Sequence, residues 1–402
     1  MSYRKNIERN LYKPHKAPAT LTAPSFTIPH LPESIEFTIP KLCASIARCG
    51  HSSKASKEIL KAQAKATEEF LKIFVCPKSK DFNITSEAET LIDAHLVSIA
   101  HDIGAGIAHL YMEEMGYSWK ASGAEVLSGK KKKPDYIYDN GAASNDVVAM
   151  ESKGSVARKT SQKTVMDRAE KGYKNQLSPW LGKATTHGSK VAHGYAIGTW
   201  SPLGKTIAKV GVHETSWPEK NGDSKPFYAE ELAHLDPGVA LSNYISNFDL
   251  LGSTILASEL QFFQEYKKPW FERYETEEFL EIPILGRPFL VSIPRFKFLL
   301  QRPKHDYQIL DIPDIRSYLY MPTFALDLSV AKSFTKHIWD HPKRIDIPCI
   351  NRGTIMDIQG ADEVAVFRDG LAVISPGYIK PDSEGRIFQW NRRRGLHPIA
   401  NL

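Results

Sequence analysis

The sequence predicts an α/β fold in which a mixed central sheet is flanked by helices, with additional N- and C-terminal α+β regions. Apolar residues recur at helical spacing from Ser86 to Met115 and again from Ser161 to Leu177. Segments typical of strands lie at Pro134–Tyr138, Val147–Met150 and Val191–Trp200. The resulting order of helix, strand, strand, helix and strand is typical of a mixed sheet with helices packed against it.

The predicted elements divide the 402 residues into three parts. Residues 1–85 form an N-terminal arm and a helical region, because the first forty residues are rich in Pro, Lys and Ser/Thr and helical spacing begins only near Ser56. Residues 86–215 form the central sheet and its helices. Residues 216–402 form a C-terminal α+β region of unassigned role. A hydrophobic content of 42% is sufficient for a large core.

The helix before the first predicted strand carries start and stop signals. Ser86 followed by Glu89 matches a capping box at its beginning. The apolar spacing continues, with a break midway, as far as Met115, and Gly116 has the position of a C′ glycine. We therefore expect this helix to run from Ser86 to Met115.

The C-terminal region contains four further predicted units. Residues 237–266 are mostly helical, and residues 279–300 form two strands around Gly286. Residues 324–339 form a helix, and residues 364–374 form a hairpin that turns at Asp369-Gly370.

The net charge of +6 is a mild excess, with 52 basic against 46 acidic residues. It allows contact with nucleic acid but does not demonstrate it, because many basic proteins of this size bind no anionic partner.

The four cysteines are too few for a disulfide scaffold. The spacing of Cys43, Cys49, His51 and Cys76 matches no zinc knuckle, which favours free thiols in a reducing compartment. No secretory signal begins the chain, and no stretch approaches the roughly 18 apolar residues needed to cross a bilayer. The sequence thus predicts a cytoplasmic protein with no membrane partner.

A constellation of charged residues surrounds the second predicted strand. Fifteen residues separate Asp135 from Glu151, enough for one strand, a turn and the return along its neighbour, so the two acids meet at one end of the sheet. Glu151 and Lys153 are two apart and share a face, whereas the backbone carbonyl of Ser152 is left free to coordinate. Two carboxylates and a carbonyl form an all-oxygen site that suits Mg²⁺ or Mn²⁺. Lys153 would orient or help deprotonate an attacking water, or neutralise charge in the transition state.

This constellation resembles the PD-(D/E)xK superfamily of restriction-endonuclease-like phosphodiesterases. The matching residues are Pro134-Asp135 and Glu151-Ser152-Lys153, and the resemblance covers about residues 86–205. It implies a restriction-endonuclease-like core, with Asp135 and Glu151 as metal ligands and Lys153 as the catalytic lysine.

The same letters occur elsewhere in the chain, at Pro313-Asp314, Pro381-Asp382, Asp223-Ser224-Lys225 and Glu265-Tyr266-Lys267. The first two have no acid-x-Lys after them on a buried strand, the third lies in a polar loop and the fourth ends a helix. The alternative for Glu151 and Lys153 is an exposed strand end with a surface ion pair of little energetic value. The apolar run before Glu151 favours the site.

Three further predictions concern the flanks of this site. Relatives often carry Gly-Glu on the preceding helix, but this chain has Gly104-Ala105, so Asp102 is the preferred third metal ligand and Glu114 the second choice, with a solvated surface position as the alternative for both. Gln176, on the following helix, is a candidate to point back toward the site, on the face it shares with Tyr173, with a capping or solvent-facing position as the alternative. The run of Lys130, Lys131, Lys132 and Lys133 is a candidate grip for a backbone phosphate, with a solvated loop as the alternative.

These residues predict a Mg²⁺-dependent endonuclease that hydrolyses DNA, of the restriction or defence type by analogy with the family. The missing helix glutamate motivates an alternative, a catalytically decayed nuclease fold that acts as a nucleic-acid-binding or scaffold protein. RNA or a branched junction is a third, lower-ranked substrate, since no aromatic RNA-binding signature is present. A homodimer would provide one active site for each strand of a DNA duplex. Both a homodimer and an unidentified partner protein stay open as possibilities.

Overall fold

The computed structural model describes residues 4–49, 57–142, 144–156, 160–204, 206–217, 232–268, 276–292, 323–340, 342–350, 364–374, 386–391 and 395–401. Within them the chain forms a mixed α/β fold, in which two seven-stranded sheets and a two-stranded sheet are accompanied by helices. The predicted α/β class with a mixed sheet flanked by helices is therefore confirmed.

The first sheet contains the strands β1 (Arg4–Lys16), β2 (Ser34–Thr38), β3 (Trp119–Ser122), β4 (Tyr136–Asp139), β5 (Asp146–Val156), β6 (Lys190–Ser201) and β7 (Lys209–Ser216). Their order across the sheet is β2-β1-β7-β6-β5-β4-β3. The pairs β5–β6 and β1–β7 are parallel and the other neighbours are antiparallel. The sheet is mixed, and β5 lies near its centre.

The helices are α1 (Ile39–Cys49), α2 (Lys57–Phe74), α3 (Asp93–Glu114), α4 (Gly123–Val126), α5 (Gln162–Gly172), α6 (Pro237–Leu251), α7 (Thr254–Tyr266) and α8 (Leu328–His337). Short 3₁₀ turns lie at Ser86–Thr90, Ser178–Trp180 and Ile338–Asp340, and a π-helical turn, Tyr173–Leu177, directly extends α5. The predicted helix from Ser161 to Leu177 is confirmed as α5 and this turn. Ser161 caps it, accepting a hydrogen bond from the Thr164 N–H at 3.1 Å.

Helix α3 and strand β5 are in direct backbone contact. A Cβ atom at Gly104 would lie 2.6 Å from the Cα atom of Gly154, and a Cβ atom at Gly154 would collide with the Ala100 carbonyl oxygen. Only glycine at both positions allows this approach. The contact fixes the first half of α3 beside the end of β5.

The second sheet contains β9 (Glu277–Ile284), β10 (Arg287–Ser292), β11 (Thr323–Asp327), β13 (Val364–Val366), β14 (Leu371–Ile374), β15 (Arg386–Asn391) and β16 (Gly395–Asn401). Their order is β13-β14-β11-β10-β9-β15-β16, and β8 (Leu232–Leu235) pairs separately with β12 (Ile345–Pro348). The predicted hairpin at Asp369-Gly370 is confirmed as β13–β14, with Gly370 at φ +90°. The predicted helices of residues 237–266 and strands β9 and β10 are also confirmed, except that residues 293–300 lie outside the described residues.

A buried ion pair joins the two sheets. Arg48 of α1 donates to Asp369 of the β13–β14 turn at 2.6 Å, and Asn243 and Asn247 of α6 donate to the same carboxylate oxygen. Arg48 and Asp369 are almost fully buried. The turn of the β13–β14 hairpin is thus anchored to α1 and α6 by polar contacts inside the core.

Several predicted boundaries are wrong. The segment predicted as an arm supplies β1 and β2, so the boundary at residue 85 cuts through one sheet. Ser86 is the first residue of a short 3₁₀ turn that has no side-chain cap, so the predicted capping box does not form. Helix α3 begins only at Asp93, and it continues to Glu114 without the expected break. The helix predicted for residues 324–339 begins only at Leu328, with Asp327 as its N-cap. The residues before it, 323–327, form strand β11. Strands β3 and β7 were not predicted.

Of the Pro-Asp and acid-x-Lys patterns found elsewhere in the chain, only one lies within the described residues. Glu265 and Tyr266 end α7, as predicted, and Lys267 follows in the left-handed conformation. The other three segments, at residues 223–225, 313–314 and 381–382, lie outside the described residues.

The state of the cysteines and the length of the helices are seen in the described residues. The four cysteines are free thiols; Cys43 and Cys49 are buried and Cys76 and Cys349 are half-buried, whereas His51 lies outside the described residues. No helix in the described part of the chain is both long and apolar enough to span a membrane.

Candidate active site

Strands β4 and β5 bring the two predicted acids together. Antiparallel pairing places Tyr136 opposite Met150, so Asp135 lies opposite Glu151 just beyond the end of β4. The backbone N–H of Asp135 donates to Glu151 Oε2 at 3.1 Å. The two acidic residues are thus brought together, as the sequence predicted, but they lie midway along β5, which continues to Val156, and not at its end.

Asp135 is held by the next residue of β5. Its Oδ2 atom accepts hydrogen bonds from the backbone N–H of Ser152 at 2.9 Å and from the Ser152 hydroxyl at 3.0 Å. Because the N–H and C=O groups of one strand residue point to the same side of the strand, the Ser152 carbonyl also faces the side on which β4 has ended. This carbonyl therefore faces the same side of β5 as the Asp135 carboxylate.

Lys153 and Gln176 complete the arrangement. Both donate to Glu151 Oε1, Lys153 from the same strand and Gln176 from the π-helical turn after α5. Glu151 and Lys153 therefore share a face of β5, as predicted. We call Asp135, Glu151, Ser152, Lys153 and Gln176 the Glu151 cluster.

The electrostatics of the cluster are unbalanced. The Glu151 side chain is fully buried, whereas Lys153 is 32% exposed and connects the cluster to solvent. Burial, together with the negative charge of Asp135, raises the pKa of Glu151 to about 7, although Lys153 acts in the opposite direction. Two carboxylates at this spacing therefore repel each other, and one lysine offsets this only in part.

A glycine allows α5 to approach the cluster. A Cβ atom at Gly172 would lie 2.8 Å from Glu151 Cγ and 3.5 Å from Lys153 Cε. Any larger residue would push the helix end away from β5 and would move Gln176 with it.

Tyr173, expected on the same face as Gln176, is directed elsewhere. Its hydroxyl shares a hydrogen bond with Thr215 Oγ1 at 2.8 Å, and its ring stacks on His15 at 4.2 Å between ring centroids. Tyr173 therefore packs against β1 and β7 and is not part of the Glu151 cluster.

The third acid does not complete the cluster. Asp102 lies on α3, and its carboxylate forms an ion pair with His101 Nδ1 at 3.4 Å. Among the described residues no group of three or more His, Cys, Asp or Glu side chains is arranged to hold a metal ion. Glu114, the second choice, lies twelve residues further along α3, about 18 Å along the helix axis.

His101 is a residue that the sequence did not single out. Its side chain is 65% exposed, and its hydrogen bond to Asp102 is the main reason that its pKa is raised. Asp135 raises this pKa and Lys153 lowers it, so His101 lies within electrostatic reach of the cluster. The contact between Gly104 and Gly154 brings it there, and no local pattern predicts such a contact.

The lysine run lies in a loop just before β4. Lys130, Lys131 and Lys132 are exposed, and Lys133 donates to the Ala124 carbonyl at 3.2 Å. The indole N–H of Trp180 donates to the Lys132 carbonyl at 2.7 Å. Because Trp180 follows the turn that carries Gln176, this bond holds the lysine run beside the cluster.

The donor set of the cluster fits a hard divalent cation. Two carboxylates and a backbone carbonyl are oxygen ligands of the kind that Mg²⁺ prefers, and the remaining positions would go to water and substrate oxygens. A cation between Asp135 and Glu151 would also relieve the repulsion that raises the pKa of Glu151. The residues present can therefore hold such an ion, with Ser152 as the carbonyl ligand.

The comparisons with known proteins give no family model that matches the chain, no matching curated protein and no matching solved structure. The geometry of the Glu151 cluster is therefore the basis for assigning a function.

Proposed function

We propose that the chain is a Mg²⁺-dependent nuclease that hydrolyses DNA phosphodiester bonds at the Glu151 cluster. The observation that carries the proposal is the meeting of Asp135 and Glu151 beside the first residue of β4, with Lys153 and Gln176 both bonded to Glu151. A buried carboxylate beside a half-buried one, with a single partly exposed lysine, has no evident structural purpose. Perturbed ionisable groups of this kind concentrate at functional sites.

Each residue of the cluster has a distinct role in this proposal. Asp135, Glu151 and the Ser152 carbonyl would hold the ion, which supplies positive charge to the scissile phosphate and acidifies the attacking water. Lys153 would orient that water and stabilise the negative charge that develops on phosphorus. Gln176 would keep Glu151 in place from the α5 side.

The arrangement of elements supports a restriction-endonuclease-like core as part of the proposal. Strands β4 and β5 are antiparallel, β5 and β6 are parallel, and α3 and α5 pack against β5 through Gly104 and Gly172. The resemblance implies a mixed sheet with helices on it, and this part of the chain has those features. A cytoplasmic role in defence or restriction follows only by analogy with the family.

The test is cleavage of plasmid DNA by the full chain with Mg²⁺, compared with Glu151→Ala and Lys153→Ala. We expect each variant to lose at least about 10²-fold in rate, since each removes a group from the reacting centre. Lys332→Ala, an exposed lysine on α8, is a matched control that should cut normally. Equal rates in the wild type and both cluster variants would refute the assignment.

A decayed nuclease fold that binds nucleic acid without cutting it is the second candidate. It is favoured by the observation that Asp102 pairs with His101 and that the described residues contain no third acid beside Asp135 and Glu151. Calorimetric titration with Mn²⁺ separates the two candidates. Heat of binding that disappears in Glu151→Ala supports the nuclease, and no heat in the wild type supports the decayed fold.

A further inference from the structure

The exposed face of α5 carries an excess of positive charge. Five basic side chains lie on this helix, on the turn after it and on the adjacent part of β1, namely Lys13, Lys163, Arg168, Lys171 and Lys174. We call them the α5 track. Two acidic residues, Asp167 and Glu170, lie among them, so the surface has a net charge of +3.

The two acids do not neutralise this surface. Glu170 contacts two lysines at once, with Lys174 Nζ at 2.7 Å and Lys13 Nζ at 2.9 Å, and these contacts lower its pKa to about 2. Asp167 pairs with Lys163 at 3.2 Å. No ion pair within the described part of the chain involves Arg168 or Lys171. Positive charge is therefore left over in the part of the track nearest the Glu151 cluster.

The track leads to the cluster. Lys171 directly precedes Gly172, the residue that packs against Glu151 and Lys153. At the other end of the π-helical turn, Trp180 holds the backbone of Lys132, so the exposed lysine run continues the positive surface. From Lys163 to Lys174 the helix extends about 16 Å, a length over which one strand of a DNA duplex carries about five phosphates.

The track offers charge but no surface for stacking bases. Tyr173 and Trp180, the aromatic residues of this segment, are both buried. Binding of single strands depends on exposed aromatic side chains on which bases stack, whereas a duplex presents its phosphates outward. Lysine and arginine contacts to phosphate carry no direct sequence information.

We infer that the α5 track binds the sugar–phosphate backbone of duplex DNA, independently of sequence, and guides it to the Glu151 cluster. This inference rests on the proposed nuclease function for its biological meaning, but it concerns binding alone. It predicts a preference for duplex over single-stranded DNA and equal affinity for duplexes of unrelated sequence.

The experiment measures binding in the absence of cleavage. The full chain carrying Glu151→Ala is titrated in EDTA against a short labelled duplex, while KCl is varied from about 50 to 200 mM. Adding Arg168→Gln and Lys171→Gln, which breaks none of the ion pairs described above, should lower the slope of log Kd against log salt by about 1.8, because each lost phosphate contact removes about 0.9. The control adds Lys332→Gln and Lys336→Gln on α8, with the same change in charge, and should keep the slope of its parent.

A second pair, Lys13→Gln with Lys174→Gln, tests the other part of the track and should weaken binding in the same direction. The inference is overturned if both track variants keep the parent's slope, or if a single strand binds more tightly than the duplex. If the track variants lower the parent's slope but the wild type cuts no DNA with Mg²⁺, the nuclease proposal fails and the track stands. If the wild type cuts DNA but both track variants keep the parent's slope of log Kd against log salt, the inference about the track alone fails.

Discussion

Two buried carboxylates, Glu151 and Asp369, each accept several hydrogen bonds, yet their surroundings differ. Asp369 accepts from Arg48 at 2.6 Å, from Asn243 at 2.8 Å and from Asn247 at 2.9 Å. Its ionic partner Arg48 is itself only 1% exposed, so one negative and one positive charge are enclosed together. The pair joins the two sheets and is closed to solvent.

Glu151 lacks this balance. Its nearest charged neighbours are a second carboxylate, Asp135, and a lysine that is 32% exposed. Burial with full compensation of charge is typical of a structural contact, whereas burial beside a like charge with a path to solvent is typical of a site that takes a ligand. The comparison therefore separates a contact that stabilises the fold from one that costs stability.

The largest expected effect is on the structural side of this comparison. Asp369→Ala leaves the Arg48 guanidinium buried without its counter-charge, and we expect the free energy of unfolding to fall by about 3–5 kcal/mol. Urea denaturation followed by circular dichroism measures this change. Asp369→Asn keeps an acceptor oxygen for Arg48 and should lose less. A loss below about 1 kcal/mol in the alanine variant would mean that Arg48 does not depend on Asp369.

Glu151→Gln is expected to raise the free energy of unfolding, whereas Asp369→Ala lowers it. The pKa of Glu151 in the fold, about 7, lies above its ordinary value of 4.5, so ionisation is disfavoured by folding and wild-type stability falls as the pH rises between these values. The glutamine variant lacks this loss. Without metal it should match the wild type near pH 4 and exceed it by up to about 3 kcal/mol at pH 8.

Adding Mg²⁺ sharpens this test. The ion should stabilise the wild type at pH 8 and remove the advantage of the variant, because it offsets the repulsion between Glu151 and Asp135. Asp139 is the matched control, since burial raises its pKa to about 6 and Arg344 opposes the shift. The difference in the free energy of unfolding between the wild type and Asp139→Asn should not change when Mg²⁺ is added. If Mg²⁺ changed this difference as much as the one between the wild type and Glu151→Gln, the ion would act on the whole chain and not on the Glu151 cluster.

Gly172→Ala tests the approach of α5 to the cluster. The added Cβ atom would meet Glu151 Cγ at 2.8 Å, which should cost about 1–3 kcal/mol of stability. Because the shift also moves Gln176, the rate of DNA cleavage should fall by about 10²-fold. Thr164→Ala, at an exposed position of the same helix outside the α5 track, should leave the cleavage rate almost unchanged. Full cleavage activity in Gly172→Ala would show that the site tolerates movement of α5.

The local features of both regions could be predicted from the sequence. The apolar run before Glu151 predicted a buried strand, and the alternation along it placed Glu151 and Lys153 on one face. Gly116 and Gly370 adopt φ of +95° and +90°, as expected of a helix end and a hairpin turn. These features depend on residues that are close in sequence, so composition and spacing are sufficient to find them.

The remainder depends on residues that are far apart in the chain. Strand β1 pairs with β7 through contacts such as Glu8 with Lys209, and nothing near Glu8 specifies that partner. Likewise, the contact between Gly104 and Gly154 sets the position of His101, and Asp369 lies 321 residues from Arg48. The sequence thus predicts the strand that carries the site but not the helix rim around it, nor the buried pair that joins the sheets.

The smallest expected effect concerns the beginning of α5, the helix that brings Gly172 and Gln176 to the cluster. The Ser161 hydroxyl accepts from the Thr164 N–H at 3.1 Å, and Ser161→Ala removes this cap at a cost of about 1 kcal/mol. Ser161→Asp restores an acceptor and should recover the stability. Because the cap lies eleven residues before Gly172, the cleavage rate of the folded protein should not change in either variant. If the alanine variant also cuts more slowly while the aspartate variant does not, the cap holds the far end of α5 in place, and the Glu151 cluster depends on the helix as a rigid unit.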